Sequence, residues 1–514
     1  MPGGRATVPE RRATAAATRD FAARFVATAP HGHAPLGTTG LTASRIGFGG
    51  YRVDAETPLH RQSLEEALAA GCNLVDTSTN YTDGGSERLA GQVLRDLEGR
   101  GRLARDQVIV VSKIGYVQGQ NLDLAGERER AGRPFPEMVK YAEGCWHCIH
   151  PDFLRDQLQR SLERLQLESL DVCLLHNPEY FLSDAAKHGE GDLEAARAEF
   201  YRRAREAFTF FEEAVRQGLL QWYGVSSNTL VSPAGDGEAT SASRFLMAAR
   251  EAGGPGHHFR VLQMPMNLFE PGGALIANTG EEGRATPLEA ALQAGLGVLV
   301  NRPLNAFAGQ RLLRLADPPV PGESASLPDL LAALSRLGDE YRASIAPHRK
   351  GDTLGGVTPD HLFQLVEEVA TLPGQVSDAS HWQQIEQQYV VPRINYVVRA
   401  LAQGLEPEMA AAWQSWWARF LPSLQALLRE VGRQASLSGR EQARTIAAAI
   451  DPALPAARRG EPLSRKALWT VASTPGVSCV LVGMRRPEYV RDALGVLAWP
   501  PLPDPQAVYR SLQT

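Results

Sequence analysis

N-L-V-D-T-S-T-N-Y-T-D-G-G-S-E, Asn73 to Glu87, begins as an apolar run, stops on an acid, crosses a loop carrying a tyrosine and enters a helix near Ser86. The charge sits where a strand signal stops. Two later runs end the same way: Val108 to Ser112 stops at Lys113, and Val172 to Leu175 stops at His176. Asp76, Tyr81, Lys113 and His176 are therefore all expected on the carboxyl side of successive apolar strands, the side on which α/β folds open their binding crevice.

Working outward, further short apolar runs alternate with helical patterns: Ile46 to Phe48 before Gly47-Phe48-Gly49-Gly50, then Gln221 to Val225, Val261 to Met264, Gly297 to Val300 and Val477 to Val482. Eight such units predict an α/β chain closed into a (β/α)8 TIM barrel, in preference to an open sheet. Two excursions, 114–150 and 177–200, leave the strands that end at Lys113 and His176 and are expected to border the site. Between the seventh and eighth strands, 305–464 carries amphipathic helical patterns with Trp413, Trp416 and Trp417 at core spacing, a large and mainly helical insertion. The expected layout is a flexible N-terminal extension over 1–34, a first barrel part over 35–304, the insertion over 305–464 and a last barrel part over 465–514.

Composition narrows the function. A formal net charge of −5, with Lys and Arg scattered through helical segments, disfavours nucleic acid. Mean hydropathy of −0.24, with no apolar run of spanning length, gives no membrane helix. Five cysteines, two of them (Cys173 and Cys479) inside strand signals, suit a reducing, cytoplasmic setting, with organelle targeting by the Arg- and Ala-containing residues 1–34 as the minor alternative. Cys145-Trp146-His147-Cys148 with His150 has the residue types of a zinc or redox site, but one short run wraps an ion poorly, and packing of the excursion is the stronger expectation; no metal is assigned.

The four polar strand-end residues suggest a chemistry. An ammonium at Lys113 favours the tyrosinate form of Tyr81, Asp76 holds Lys113 charged, and His176 can direct a substrate oxygen toward the phenol. Nucleophile-elbow, Walker and H-E-x-x-H patterns are absent from the sequence, so a proton donor without a covalent partner points to a hydride supplied by a cofactor. Gly483, Arg485 and Arg486, between the eighth strand and a helix N-terminus, form a candidate phosphate site.

Taken together, L-G-T-T-G-L-T-A-S-R-I-G-F-G-G, V-D-T-S-T-N-Y-T-D-G-G-S-E, V-V-S-K, L-D-V-C-L-L-H-N-P, Y-G-V-S-S-N, Q-M-P-M-N and L-V-G-M-R-R-P-E-Y-V resemble, in order, the aldo/keto reductase family. The resemblance implies a barrel binding NADPH, with NADH as the alternative, and reducing an aldehyde or ketone without a metal, or running alcohol or sugar dehydrogenation in reverse. It implies a catalytic tetrad of Asp76, Tyr81, Lys113 and His176 with Tyr81 as general acid/base. Ser226 or Ser227, Asn228 and Gln263 would hold the nicotinamide carboxamide, Gly50 and Tyr51 the first loop over the cofactor, and Gly483, Arg485 and Arg486 the adenosine-phosphate end. Where many members stack an aromatic ring on the nicotinamide, Asn301, Arg302 and Pro303 stand instead. The expected partner is a small carbonyl or hydroxylated substrate, with 305–464 as a surface for a protein partner or self-association. The competing functional class is a nucleotide-sensing regulatory barrel with weak or no catalysis.

Overall fold

The computed structural model describes residues 12–513 except 189–191, 281–282, 309–310, 321, 324, 349–357, 359, 377 and 404. Eight parallel strands close on themselves: β1 Ile46–Gly49, β2 Leu74–Asp76, β3 Ile109–Ile114, β4 Leu170–His176, β5 Leu220–Ser226, β6 Phe259–Pro265, β7 Gly297–Asn301 and β8 Cys479–Val482. Each strand is hydrogen-bonded to its neighbours in chain order, and β8 pairs with β1, Val482 opposite Phe48. The closed (β/α)8 barrel expected from the strand-helix rhythm is thus the observed fold. Its strands are runs of Val, Ile and Leu because both faces are covered, the inner by other strands and the outer by helices. Leu74, Ile109, Val111, Val172, Leu174, Val261, Leu299, Cys479 and Leu481 fill the interior.

Pairing register places the site. Gly49 lies opposite Asp76, Lys113 opposite Leu174, His176 opposite Ser226, Ser226 opposite Gln263, and Asn301 opposite Pro265. The polar residues thus share one rim, at the carboxyl ends of the strands, while the apolar residues lie below them.

Residues 12–34 depart from the loose extension expected of them. Ala15–Ala23 is a helix capped by the Thr14 side chain, with Phe21 buried. The cause is a buried anchor far away in sequence: Asp171 Oδ1 accepts from the Ala13 amide at 2.6 Å, while its Oδ2 accepts from Arg105 Nη2 at 2.7 Å and the Val110 amide at 2.8 Å. Ala13, Leu36, Leu41 and Ala43 then join the interior cluster at the amino end of the barrel. Residues 1–11 of that expected extension lie outside the described residues.

The excursions are also ordered. Residues 114–150 hold a three-stranded antiparallel sheet, Tyr116–Val117, Cys145–His147 and Val139–Ala142, and a helix Gln120–Arg130. Beyond β4 come the helices Tyr180–His188 and Leu193–Arg216.

Two compact units are present: Met1–Leu304 with Ala453–Thr514, which is the barrel, and Asn305–Pro452, which ends at Pro452 rather than at 464. The second unit opens with a hairpin, Asn305–Ala308 paired to Arg311–Arg314, and is otherwise helical, dominated by the long helix Ala410–Ile450. Its own core gathers Tyr341, Leu362, Trp382, Trp413, Trp416 and Phe420, with Trp417 packed against it. Trp416 stacks on Phe420 at 4.7 Å and donates its indole N–H to the Leu337 carbonyl at 2.7 Å, so these tryptophans pack a core. Among the described residues no helix is long and apolar enough to cross a membrane.

Candidate active site

The centre is Lys113, wholly buried on β3. Its ammonium donates to Asp76 Oδ2 at 2.6 Å, the Thr77 carbonyl at 2.8 Å and the Tyr81 hydroxyl at 3.2 Å, using all three of its protons. Burial alone would drive a lysine neutral, but the adjacent carboxylate and phenol reverse this and hold Lys113 above its ordinary value. Asp76 has its second oxygen engaged as well, accepting from Gln263 Nε2 at 2.8 Å.

Tyr81 follows β2 on a tight turn in which Thr82 and Asp83 both adopt left-handed backbone, with φ of 47° and 53°. That bend returns the phenol over the strand ends. Burial pushes Tyr81 above the ordinary phenol range, and the pull of Lys113 only partly offsets it. This corrects the expectation of an unusually acidic tyrosine: at neutral pH the group is a protonated phenol.

His176 ends β4 with its ring edge-on to Tyr81 at 5.8 Å. Its Nδ1 lies 2.9 Å from Ser78 Oγ, and its carbonyl accepts from His147 Nε2 at 2.7 Å. Burial, Lys113 and His147 hold His176 well below the usual histidine range, and burial lowers His147 to about 4, so both rings are neutral at pH 7.

Gln263 joins this group to the next two strands. Its Oε1 accepts from Ser226 Oγ at 3.0 Å and from Asn301 Nδ2 at 3.3 Å. Of the two adjacent serines, Ser226 thus faces the site, whereas Ser227 turns to Thr240 Oγ1 at 2.9 Å. Asn228 is held by its backbone, whose N–H donates to Glu179 Oε1 at 2.7 Å. Gly50 donates its amide to the Asp76 carbonyl at 2.8 Å, and a β-carbon there would lie 2.3 Å from Ser86 Oγ. Beside it Tyr51 is largely exposed, its ring 5.3 Å from Tyr81.

Other sequence-singled residues stand apart from this network. Arg302 pairs with Glu270 at 3.3 Å, and Pro303 is buried beside it. Gly483 and Arg485 lie on the turn after β8, and Arg486 caps the helix Pro487–Leu494; the space beside Gly483 is open. Within Cys145–Cys148, Cys145 receives Gln118 Nε2 at 3.3 Å, and Cys148 donates to the Pro136 carbonyl. His150 is the N-cap of the helix Pro151–Leu165, accepting from the Asp152 amide. Among the described residues no group of three or more His, Cys, Asp or Glu side chains could hold a metal ion.

Residue-by-residue reading of the sequence missed one wall. Tyr116 packs edge-on to His176 at 4.7 Å, its hydroxyl accepts from Asn177 Nδ2 at 2.8 Å, and Tyr180 stacks on His147 at 5.5 Å. The only signal for it was the position of the excursions beside Lys113 and His176.

NADH-specific methylglyoxal reductase of Escherichia coli (strain K12) is 29% identical over 153 residues, 28% of this chain and 40% of that protein. Uncharacterized oxidoreductase YqkF of Bacillus subtilis (strain 168) is 24% identical over 192 residues, 37% of this chain and 47% of that protein. The chain therefore spans less than half the length of these curated relatives. Among solved structures, aldo-keto reductase AKR11C1 from Bacillus halodurans (holo form) aligns with a TM-score of 0.44 at 16% identity, covering 93% of this chain and 95% of its own. The sequence profile described as the aldo/keto reductase family matches residues 45–233, the segment that supplies Asp76, Tyr81, Lys113 and His176. Over that segment, residues 45–233, the chain is similar to the aldo/keto reductase family.

Proposed function

We propose that the protein is an NAD(P)H-dependent oxidoreductase that reduces an aldehyde or ketone to an alcohol, with Tyr81 as the proton donor. The observation that carries this reading is the shared ammonium of Lys113, bonded at once to Asp76 and to the Tyr81 hydroxyl. A protonated phenol with a cation against its oxygen suits a reaction in which a carbonyl oxygen gains negative charge and then a proton.

The residues fit a nicotinamide. Asn301 Oδ1 is buried without a hydrogen-bond partner, next to the amide of Gln263 and the hydroxyl of Ser226, an acceptor suited to a carboxamide N–H. The open backbone at Gly483 with the guanidiniums of Arg485 and Arg486 suits the phosphate end, and a free 2′-phosphate would favour NADPH, with NADH as the alternative. When bound, the reduced nicotinamide supplies the hydride.

The chain's own groups do the rest. As the carbonyl carbon gains hydride, the Tyr81 O–H bond breaks and its proton joins the carbonyl oxygen. The tyrosinate left behind is stabilised by Lys113 until a proton returns from solvent. Neutral His176, beside the phenol, donates to the same oxygen and fixes its direction. The test is Tyr81→Phe: carbonyl-dependent NADPH oxidation should fall by roughly 10²–10⁴-fold, the range of a general acid, while NADPH quenching of protein fluorescence is retained. Turnover equal to that of the native enzyme would refute the assignment.

A further inference from the structure

At the amino end of the barrel, away from its mouth, separated stretches of the chain meet around Arg45, the residue before β1. Its amide donates to the Gly32 carbonyl at 2.8 Å and its carbonyl accepts from the Val480 amide of β8 at 2.8 Å, so Arg45 sits on the seam where the first and last strands close the barrel. It lines a cavity of about 20 Å³ together with His31, with Trp469 and Ser473 of the helix Leu463–Ser473, and with Trp499. All of these residues belong to the barrel unit.

Arg45 is a half-buried cation with no counter-charge beside it. Nη1 donates to the Ala472 carbonyl at 3.1 Å, in the last turn of that helix, whereas Nε is buried and has no hydrogen-bond partner. No carboxylate lines the cavity; burial lowers Arg45 below the ordinary arginine value, and the one neighbour that favours its charge is the Cys479 sulfur. The rest of the polar lining consists of donors. Ser473 Oγ accepts from the Leu502 amide at 2.8 Å, which leaves its own proton to give, and the neutral His31 ring carries an N–H in either tautomer. Trp469 already donates its indole N–H to the Pro500 carbonyl at 2.8 Å. A contact with a helix C-terminus accounts for one guanidinium proton, but not for the Nε–H or for the charge, which a protein interior normally pairs. A space of this size admits about one water-sized guest, so sulfate, phosphate and larger organic anions are excluded. Water would satisfy the N–H and leave the charge unanswered.

We propose that Arg45, with Ser473 and His31, forms a binding site for one monovalent anion of chloride size at the barrel seam. The anion neutralises the guanidinium and ties the start of β1 to the helix that precedes β8. Arg45 and Ala472 are 427 residues apart in the chain, so the site exists in the folded barrel and not in the unfolded polypeptide. A ligand of the folded state alone raises stability with the logarithm of its concentration above Kd. The site is independent of the carbonyl-reductase reading and holds whether or not the chain turns a carbonyl over.

The experiment is thermal unfolding of the full-length chain while sodium chloride replaces sodium gluconate, an anion too large for the cavity, at constant ionic strength, which removes general screening from the comparison. Chloride should raise the Tm by about 2–4 °C across a hundredfold range of concentration. Arg45→Met keeps an apolar stem without the charge, and its Tm should not respond to the exchange of anions. An equal Tm in chloride and gluconate for the native protein, or a chloride response that survives in Arg45→Met, overturns the site. If Arg45→Met does not fold, crystals of the native chain in sodium bromide decide, since bromide matches chloride in charge and nearly in size. An anomalous peak within hydrogen-bond distance of Arg45 Nε is expected, and no peak there at the concentration at which chloride raises the Tm overturns the proposal.

Discussion

Asp76→Asn separates the two tasks of that carboxylate. Oδ1 accepts from Gln263 and Oδ2 from Lys113, so both oxygens work as acceptors, and an amide offers only one. If the new NH2 faces Gln263, the mismatch can be relieved: Gln263 rotates, and Asn301 rotates with it to present its otherwise unpartnered Oδ1. The ion pair has no such escape. Lys113 is wholly buried and keeps only neutral acceptors, the new amide oxygen, the Thr77 carbonyl and the Tyr81 phenol. Removing one member of a buried pair costs about 3–5 kcal/mol because the other charge is left uncompensated. The sign with pH follows. In the native protein Lys113 is held above its ordinary value, so its contribution is fully present below the unfolded lysine pKa and is lost only as pH rises through the higher folded value. In the variant burial acts unopposed and lowers the folded pKa, so the unfolded chain binds more protons and stability rises with pH toward the unfolded value. Denaturant titrations at pH 7 and pH 9.5, followed by hydrogen exchange of β2 and β3 amides, should show a penalty of about 3–5 kcal/mol that shrinks at the higher pH. A penalty under about 1 kcal/mol, or one that grows with pH, would refute the placement of a charged Lys113 against Asp76.

Three further outcomes test other parts of the molecule. Gly50→Ala would place a β-carbon 2.3 Å from Ser86 Oγ and 2.7 Å from the Asp76 carbonyl, so it should destabilise by about 1–3 kcal/mol and weaken NADPH binding; an unchanged Tm with unchanged quenching would contradict it. Glu179, raised to about 7 by burial, contributes stability below its unfolded pKa that is lost as pH rises through 7. Glu179→Gln keeps an acceptor for the Asn228 amide, so relative to the native protein it should gain on the order of 3 kcal/mol between pH 4.5 and pH 8 in urea titrations; no gain at the higher pH would show that Glu179 is not buried as a carboxyl. In the second unit, Trp416→Phe removes the donor to the Leu337 carbonyl and part of a stacked core, and a loss of about 1–3 kcal/mol in the local stability of Ala410–Ile450 by hydrogen exchange is expected, against no loss if the indole is peripheral.

What could be read from the sequence was what repeats locally. The runs ending in Asp76, Lys113 and His176 announced both strand and site, because a charged or titratable residue at the end of a fully apolar run has one sensible place in a barrel, its rim. The closure of eight strands followed from counting them. Contacts made across long separations were hidden. Residues 12–34 look like a loose tail until Asp171, 158 residues beyond Ala13, binds its backbone. The excursion sheet has strands of two to four residues in a stretch rich in Gly, Pro and charge, too short to show alternation, so Tyr116 gave no sign of packing on His176.

Charge state was the other hidden quantity, and it changes how the site works. From residue types alone Lys113 should make Tyr81 acidic; in place, burial outweighs that pull and leaves a phenol. The same burial keeps His176 and His147 neutral, so the ion pair of Lys113 with Asp76 stands beside neutral rings. For the proposed carbonyl reduction a weaker acid would be no handicap, because the oxygen it protonates would become an alkoxide, a far stronger base than tyrosinate, in the same step. What would matter is that a tyrosinate formed there meets an ammonium 3.2 Å away whose carboxylate partner is already fixed by Gln263. In the proposed reaction Lys113 would serve two anions at once until Tyr81 regained its proton, and the energetic benefit of that cation would fall where the negative charge appears, in the transition state more than in the resting enzyme.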